Sequence, residues 1–164
     1  VAVIQTLRRR CGENISTEVL VPDFNGNESD AKRIVEIKPD IFGHNIETVP
    51  RLYKQIRPKA NYERSVNILR FAKKVNADVC TKSALMLGLG ETVEEVIAVI
   101  NDLRGAGCDM LVIGQYLRPS LQQVEVRNFI APETFLALKE IGYSLGFKDV
   151  QSGPFARSSY RRRL

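Results

Sequence analysis

Polar side chains stand where several apolar runs of the sequence end. They are Asp23, Asn45, Glu47, Lys82, Ser83, Glu91, Gln115, Tyr116, Arg118 and Ser152. If the runs are parallel strands of an α/β fold, these groups meet at the carboxyl rim of the sheet, where such folds bind ligands. Strand ends are also solvent-facing turns that are polar for ordinary reasons. The pattern alone therefore leaves a ligand site and a solvated rim equally open.

The turn from Gly88 to Glu91 (GLGE) is the second feature that could contribute to a ligand-binding site. Its two glycines permit positive φ or close approach of a ligand to the backbone. Turns that lead into helices also use glycine for steric reasons, so the pair is weak evidence by itself. It is not the dinucleotide fingerprint, because Val93 stands where the third glycine is required.

Histidine and cysteine are too few and too scattered to predict a metal or nucleophile site. His44 is the only histidine and has no second histidine or adjacent cysteine, which favours a structural role. Cys11, Cys80 and Cys108 are an odd number at wide spacing, which fits reduced thiols better than a disulfide framework. The residues by themselves predict a ligand-binding α/β domain.

The composition is that of an ordinary globular domain. The chain has 164 residues, 44% of them apolar and 26% charged, which argues against a disordered, collagen-like or disulfide-stapled protein. No apolar run approaches the roughly 18 residues of a membrane span. The 24 basic and 19 acidic residues give a net charge of +5, part of it at 161–163. A solvated basic terminus is favoured over a nucleic-acid contact, so neither nucleic acid nor a membrane is expected as a partner.

Hydrophobic periodicity and capping signals predict five helices that alternate with five strands. Ser29, Asn61 and the Thr92 capping box are expected to start helices, Pro132 fits a first helical position, and Gly146 closes the last helix. The helices are expected at about 1–11, 29–38, 61–75, 92–107 and 132–145. The strands are expected at about 17–23, 40–46, 79–89, 110–117 and 149–153.

This alternation of helices and apolar strands predicts one α/β domain, residues 1–164, built on a parallel sheet. Four or five strands are too few to close an eight-stranded barrel. The chain starts with Val and a helix precedes the first strand. Two architectures remain open: a small open α/β sandwich, or a slice of a barrel whose first part lies outside this chain.

Several long blocks identify a family. They are 40–53 (DIFGHNIETVPRLY), 57–58 (RP), 62–65 (YERS), 81–91 (TKSALMLGLGE), 113–119 (IGQYLRP) and 152–160 (SGPFARSSY). In these blocks the chain resembles the lipoyl synthases, a family of radical S-adenosylmethionine (SAM) enzymes. The resemblance implies the C-terminal portion of a partial (βα) barrel, here an incomplete slice of about four or five parallel strands.

The resemblance also implies an activity. Such enzymes use SAM and two 4Fe–4S clusters, and the first cluster cleaves SAM to a 5′-deoxyadenosyl radical. The radical abstracts hydrogens from C6 and C8 of an octanoyl chain on a lysine of a carrier domain. The auxiliary cluster is consumed as the sulfur source, so the product is the lipoyl cofactor.

Individual positions acquire roles from the same resemblance. Those assigned to SAM are Asn45, Glu47, Gly88, Gly90, Glu91, Gln115, Tyr116 and Leu117. Asn45 and Glu47 would lie near the ribose, and 84–91 matches a family motif that runs beside adenine and ribose, with Ala84 in place of its first glycine. Residues 115–117 would flank the adenine. In the tail, 154–164, Ser159 rather than Ser158 is expected to ligate an iron of the auxiliary cluster.

The departures from the family pattern concern the clusters. The family's Cys-x-x-x-Cys-x-x-Cys motif and its auxiliary three-cysteine motif are absent from this sequence. Cys80 and Cys108 are expected at the starts of strands, on the rim opposite the chemistry. The clusters are therefore not expected to assemble on this chain alone, which is predicted to be inactive by itself. Arg161 and Arg162 replace the family's usual His-Ala, and 18–21 is expected to form an exposed edge strand.

The implied partners are an octanoylated carrier domain of lipoate-dependent enzymes or of the glycine cleavage H protein, and iron–sulfur cluster delivery proteins. The implied compartment is the cytoplasm, or the mitochondrion or plastid in a eukaryote. Two rival functions stay open. One is a non-catalytic α/β protein that binds an adenosyl ligand or an acidic carrier domain. The other is a sulfur-inserting radical enzyme of the biotin synthase kind, which the RSSY motif at 157–160 disfavours.

Overall fold

A computed structural model describes residues 1–12 and 15–159. Its five strands form one open parallel sheet in the order β1-β2-β3-β4-β5. The strands are β1 Glu18–Leu20, β2 Ile41–Gly43, β3 Cys80–Leu87, β4 Met110–Gln115 and β5 Asp149–Gly153. The helices are α1 Ala2–Cys11, α2 Glu28–Glu36, α3 Tyr53–Ile56, α4 Tyr62–Val75, α5 Val93–Gly105 and α6 Pro132–Ser144. The predicted α/β class and the open sheet of about four or five parallel strands are confirmed.

Most predicted helix ends are confirmed, and one is wrong. The Asn61 side chain accepts the Arg64 amide at 2.9 Å, and Thr92 forms a reciprocal capping box. The cap of α2 is Asn27, not Ser29: the Asn27 side chain accepts the Ser29 amide at 3.0 Å, and the helix starts at Glu28. Asparagine and serine cap helices about equally well, so their order in the sequence did not decide between them.

The sequence also missed short elements and overestimated strand lengths. Two 3₁₀ turns, Phe24–Gly26 and Pro50–Leu52, and the four-residue helix α3 were not predicted. Strand β1 has three residues where seven were expected. Such segments are too short to show a hydrophobic period, so tertiary contacts determine them.

The sheet has two chemically different faces, which the register of β3 and β4 determines. Lys82, Ala84 and Met86 stand opposite Met110, Val112 and Gly114 in the parallel pair. Because side chains alternate along a strand, these six residues share one face. The other face carries Leu85, Leu87, Leu111 and Ile113, which belong to the main apolar core.

The helices cover that apolar face as one layer. Helices α2, α4, α5 and α6 contact one another in chain order, and α4 and α6 also contact β3 and β5, respectively. The buried stripe of α5, Val96, Val99, Ile100 and Leu103, recurs at helical spacing and packs into this core. On the opposite face, Ala84, Met86, Val112 and Gly114 lie near the segments that follow β2 and β5. No helix in the described part of the chain is long and apolar enough to cross a membrane.

The amino end of the sheet is held by a charge cluster centred on Asp109. Its carboxylate lies 2.5 Å from Lys73 Nζ and 2.9 Å from Lys148 Nζ, and it accepts the Thr81 amide at 3.0 Å. Burial alone would raise the pKa of Asp109, but the hydrogen bonds from Lys73, Thr81 and Lys148 outweigh it and lower the pKa. These contacts connect α4, β3, β4 and the start of β5.

We predict that Asp109→Asn lowers the free energy of unfolding by about 2–4 kcal/mol at pH 7, because it leaves Lys73 without its counter-ion. A carboxylate with a lowered folded pKa stabilises the fold above its unfolded pKa, and that stabilisation is lost as pH falls through the folded pKa. The difference between the two proteins should therefore shrink from about pH 4 downward. Urea unfolding across this pH range measures it.

The matched control is Glu36→Gln, which removes an exposed pair with Lys32. It should change stability by about 0.5 kcal/mol or less. Equal effects of the two substitutions, or an Asp109→Asn effect that does not vary with pH, would contradict a stabilising role for the cluster.

Candidate functional site

A cavity of about 160 Å³ opens on the face of the sheet that carries Ala84, Val112 and Gly114, toward the carboxyl ends of β3 and β4. It is lined by Asn45, Glu47, Ala84, Leu85, Met86, Val112, Gly114, Gln115, Leu117, Ala156, Arg157 and Ser158. Four of the predicted SAM residues therefore lie together: Asn45, Glu47, Gln115 and Leu117. Gly88, Gly90, Glu91, Tyr116 and Ser159 do not line it.

The segment after β2 carries Asn45 and Glu47 along β3. The His44 amide donates to Lys82 O at 3.0 Å and the Glu47 amide donates to Ala84 O at 2.9 Å, while Glu47 O accepts the Met86 amide. Glu47 has a left-handed φ of 68°, which is uncommon for a residue with a Cβ and marks strain held by its surroundings. This backbone conformation was not evident in the sequence.

The Glu47 carboxyl is largely buried beside the cavity. Burial raises its pKa, and the hydrogen bond from Asn45 and the charge of Arg57 only partly oppose that rise. Arg57 also donates to Asn45 O at 3.0 Å. Sequence reasoning gave Arg57 no role because it lies between elements, and only its place in a family block could have indicated one. The Glu47 carboxyl and the Asn45 amide thus lie together at the cavity wall, and Arg57 contacts them from outside the lining.

The glycine turn at 88–91 is stabilised by hydrogen bonds within the turn, and none of its residues lines the cavity. Gly88 and Gly90 have φ of 100° and 103°, which confirms the need for glycine. The Glu91 carboxylate accepts the amides of Gly88 and Leu89, the latter at 2.9 Å. The predicted contact of Glu91 with SAM therefore competes with an internal role in shaping the turn.

Arg51, which sequence reasoning missed, fastens this turn to α5. Its guanidinium donates to Gly90 O at 2.8 Å and to Glu95 Oε1 at 2.7 Å. The hydrogen bond from Arg51 lowers the pKa of Glu95 to about 2. Glu95 is also the acidic member of the capping box with Thr92. The turn is thus held from both sides.

Gln115 and Tyr116 are committed to the loop that follows β4. Gln115 Nε2 donates to Asn128 O at 3.0 Å, and its Oε1 accepts the Ile130 amide at 2.9 Å. The Tyr116 hydroxyl donates to Val124 O at 2.8 Å. Leu117 by contrast is 46% exposed at the cavity. That these residues flank an adenine stays a prediction.

The tail after β5 crosses the cavity. The Gln115 amide donates to Pro154 O at 3.4 Å, and Asn45 Nδ2 donates to Ser158 Oγ at 3.4 Å. Ser158 lines the cavity, whereas Ser159 is exposed and lies outside the lining. Tyr160 and 161–164, including the arginines that replace the family's His-Ala, lie outside the described residues.

The described residues do not fit a 4Fe–4S cluster. Cys11 is exposed on α1, Cys80 is the first residue of β3, and Cys108 is buried just before β4, so the latter two lie at the rim opposite the cavity. No group of three or more histidine, cysteine or acidic side chains in 1–12 and 15–159 could hold a metal ion. His44 is 2% exposed, and its Nδ1 lies 2.8 Å from Val21 O.

We predict that Gly88→Ala destabilises the fold more than Gly90→Ala does. Both residues have positive φ, so each substitution costs roughly 1–3 kcal/mol in backbone strain. Only at Gly88 would the new Cβ also collide with Gln115 Nε2 and Asn128 O, whereas at Gly90 the nearest atom is Arg127 Cγ at 3.6 Å. Urea unfolding of both variants tests this difference, and equal losses would contradict the close packing described here.

Comparison with known proteins agrees with this architecture. Residues 2–103 match the sequence profile of the Radical SAM superfamily. Lipoyl synthase of Caldanaerobacter subterraneus subsp. tengcongensis is 57% identical over 146 residues, which cover 89% of this chain and 51% of the relative. Lipoyl synthase of Aquifex aeolicus is 52% identical over 149 residues, which cover 91% of this chain and 54% of the relative.

The extent of these matches differs between this chain and its relatives. The chain spans about half the length of the curated relatives it matches. The profile match extends over more than half of this chain, from α1 to α5. The chain therefore belongs to the radical SAM superfamily, and its resemblance to the lipoyl synthases is confirmed.

Proposed function

We propose that this chain forms the C-terminal portion of a lipoyl synthase, an enzyme that inserts two sulfur atoms at C6 and C8 of a protein-bound octanoyl group. The observation that supports this proposal is the cavity. Two pairs of residues that are far apart in sequence, Asn45 with Glu47 and Gln115 with Leu117, meet there with the tail at the carboxyl ends of the strands. Parallel α/β sheets bind their ligands at that edge. The identity to lipoyl synthases supports the same reading.

The cavity's donor set suits the adenosyl part of SAM. The Asn45 amide and the Glu47 carboxyl offer a hydrogen-bond donor and acceptors for ribose hydroxyls, and Leu117 offers an apolar surface for a base. Gly88, Gly90, Glu91 and Tyr116 act in this proposal by shaping the turn and loop around it. When bound, SAM supplies the chemistry that removes hydrogen atoms from the octanoyl chain.

The cavity forms only one wall of such a site. Its volume of about 160 Å³ is well below the 300–1,000 Å³ typical of ligand pockets. A ligand that touches Asn45 and Leu117 would extend beyond it toward the open side of the sheet. We propose that protein segments beyond these 164 residues supply the remaining walls and the cysteine ligands of both clusters.

Within that assembly we propose Ser159 as an iron ligand of the auxiliary cluster, with Ser158 as its competitor. Thiolates bind iron more firmly than a serine oxygen does, so an oxygen ligand suits an iron that must be released. Ser158 lines the cavity and Ser159 is exposed, so Ser159 can reach the cavity only if the tail follows a different path. Replacing each serine separately by alanine shows which of the two the activity requires.

The proposed substrate protein is an octanoylated carrier domain, of a lipoate-dependent enzyme or of the glycine cleavage H protein. Cluster delivery proteins would load the enzyme, and the proposed compartment is the cytoplasm, or a mitochondrion or plastid in a eukaryote. Support for these partners comes from the family alone. They depend on the activity and fall with it.

The decisive experiment is a chimaera. The segment of the Caldanaerobacter relative that matches this chain is replaced by this chain, and the purified protein is loaded with clusters anaerobically. We expect it to convert an octanoylated carrier domain into the lipoylated form, measured by intact-protein mass spectrometry. A folded, cluster-loaded chimaera that still binds SAM but forms no lipoyl product would instead favour the adenosyl-binding rival.

Variants of the chimaera test the cavity. We expect Asn45→Ala to raise the KM for SAM about tenfold, the equivalent of roughly 1.4 kcal/mol of lost binding. The matched control is Asn67→Ala on the exposed side of α4, where the asparagine side-chain oxygen accepts a hydrogen bond from Arg70. An unchanged KM in Asn45→Ala, or an equal change in the control, would contradict the proposed adenosyl site.

The isolated chain should bind almost no iron. Cys11, Cys80 and Cys108 lie on α1 and at the starts of β3 and β4, and cluster ligation needs several thiolates at one point. After anaerobic incubation with iron and sulfide we expect iron near background. Roughly four irons per chain with a cluster absorption band would show that the cysteines do converge, and the proposal of outside ligands would fail.

A further inference from the structure

Lys82 is a buried cation that the proposed chemistry does not use. It lies on β3, on the same face as the cavity, and is 1% exposed. Lysine is almost never fully buried unless its charge is paired. Its counter-ion is Glu18 of β1, whose two carboxylate oxygens lie 2.8 and 3.0 Å from Lys82 Nζ. Two strands that are not neighbours in the sheet are thus joined across β2.

The ammonium also binds the tail. Lys82 Nζ donates to the backbone carbonyl of Ser158, which is 76 residues away in sequence. An ammonium has three donors, and here they are shared between one carboxylate and this carbonyl. Burying a charge is costly, and a well-packed apolar residue often stabilises a core better. The arrangement therefore calls for an explanation other than stability.

A second contact fixes the same segment. Gly114 of β4 lies directly under the tail, and a Cβ at this position would collide with the carbonyl of Ala156. The Ala156 amide in turn donates to Gly153 O at 3.0 Å. The tail is therefore seated on β4 at 156 and held from β3 at 158. Between these points Arg157 and Ser158 line the cavity.

We infer that Lys82 is a positioning residue: with Glu18 as its counter-ion, it holds the Ser158 carbonyl and thereby sets where the serine pair of the tail stands over the cavity. The catalytic meaning of that position rests on the proposed function, but the contact itself does not. An apolar side chain at 82 would fill the volume and leave the carbonyl without a donor.

The test is release of the tail, measured as the rate of trypsin cleavage at the Arg157–Ser158 bond of the 164-residue chain. Proteolysis of a folded protein follows the population in which the bond is locally open. We expect Lys82→Met to speed cleavage of this bond at least about tenfold, while cleavage at the basic residues within α4 and α6 stays unchanged. Quantitative mass spectrometry of the fragments separates the sites.

Lys148→Met is the matched control. It also removes a lysine from an ion pair, but with Asp109 at the opposite end of the sheet. We expect its cleavage at Arg157 to match that of the unaltered chain. If Lys82→Met leaves this rate within twofold, or raises cleavage equally throughout the chain, Lys82 stabilises the fold without positioning the tail and the inference is wrong.

Two further variants keep the test decisive if Lys82→Met does not fold. Glu18→Gln removes the counter-ion of Lys82 at a position whose own side chain is partly exposed, and it should also speed cleavage at Arg157. Gly114→Ala should release the tail with Lys82 intact, because it displaces the Ala156 carbonyl. Unchanged cleavage in Glu18→Gln would overturn the role of the pair.

The chimaera connects the inference to activity. There we expect Lys82→Met to lower kcat for lipoyl formation while the KM for SAM stays unchanged, and Lys82→Arg to restore part of kcat. Loss of tail positioning without any change in kcat would refute the catalytic consequence. An inactive parent chimaera would refute the proposed function and leave the cleavage result standing.

Discussion

The register between β3 and β4 is the constraint on which the rest of the structure depends. It places Lys82, Ala84 and Met86 beside Met110, Val112 and Gly114 on one face. A shift by one residue would turn Lys82 toward the helices and Leu111 toward the opposite face of the sheet. The floor of the cavity, the seat of the tail and the buried cation all follow from this single alignment.

The two ends of the sheet are stabilised by different means. At the amino end, Asp109 collects two lysines and a backbone amide in a fixed charge cluster. At the carboxyl end, the loops are held mostly by backbone and side-chain hydrogen bonds, such as those of Gln115 and Glu91. The Asp109 charge cluster thus lies away from the cavity, whose wall has a carboxyl with a raised pKa.

The sheet has an open edge at β1, and the cavity forms only one wall of a binding site. β1 ends the sheet, and its Leu20 is 60% exposed. The cavity collects groups suited to one part of a ligand and lacks the depth to enclose it. Lys82 joins these regions, because it contacts Glu18 on the edge strand and the tail over the cavity.

The sequence by itself determined the class of fold, the alternation of elements and most helix ends, because these depend on local periodicity and on caps such as Asn61 and Thr92. It also indicated Asn45, Glu47, Gln115 and Leu117 through a family pattern. It did not distinguish Asn27 from Ser29 as a cap, nor predict α3, since short segments carry no period.

Tertiary structure alone decided which polar groups turn inward. The left-handed φ of Glu47, the use of Glu91 within its own turn and the burial of Lys82 arise from contacts between residues far apart in the chain. Local propensity does not predict such contacts, because the interactions that orient each side chain are made with a neighbouring strand or with the tail.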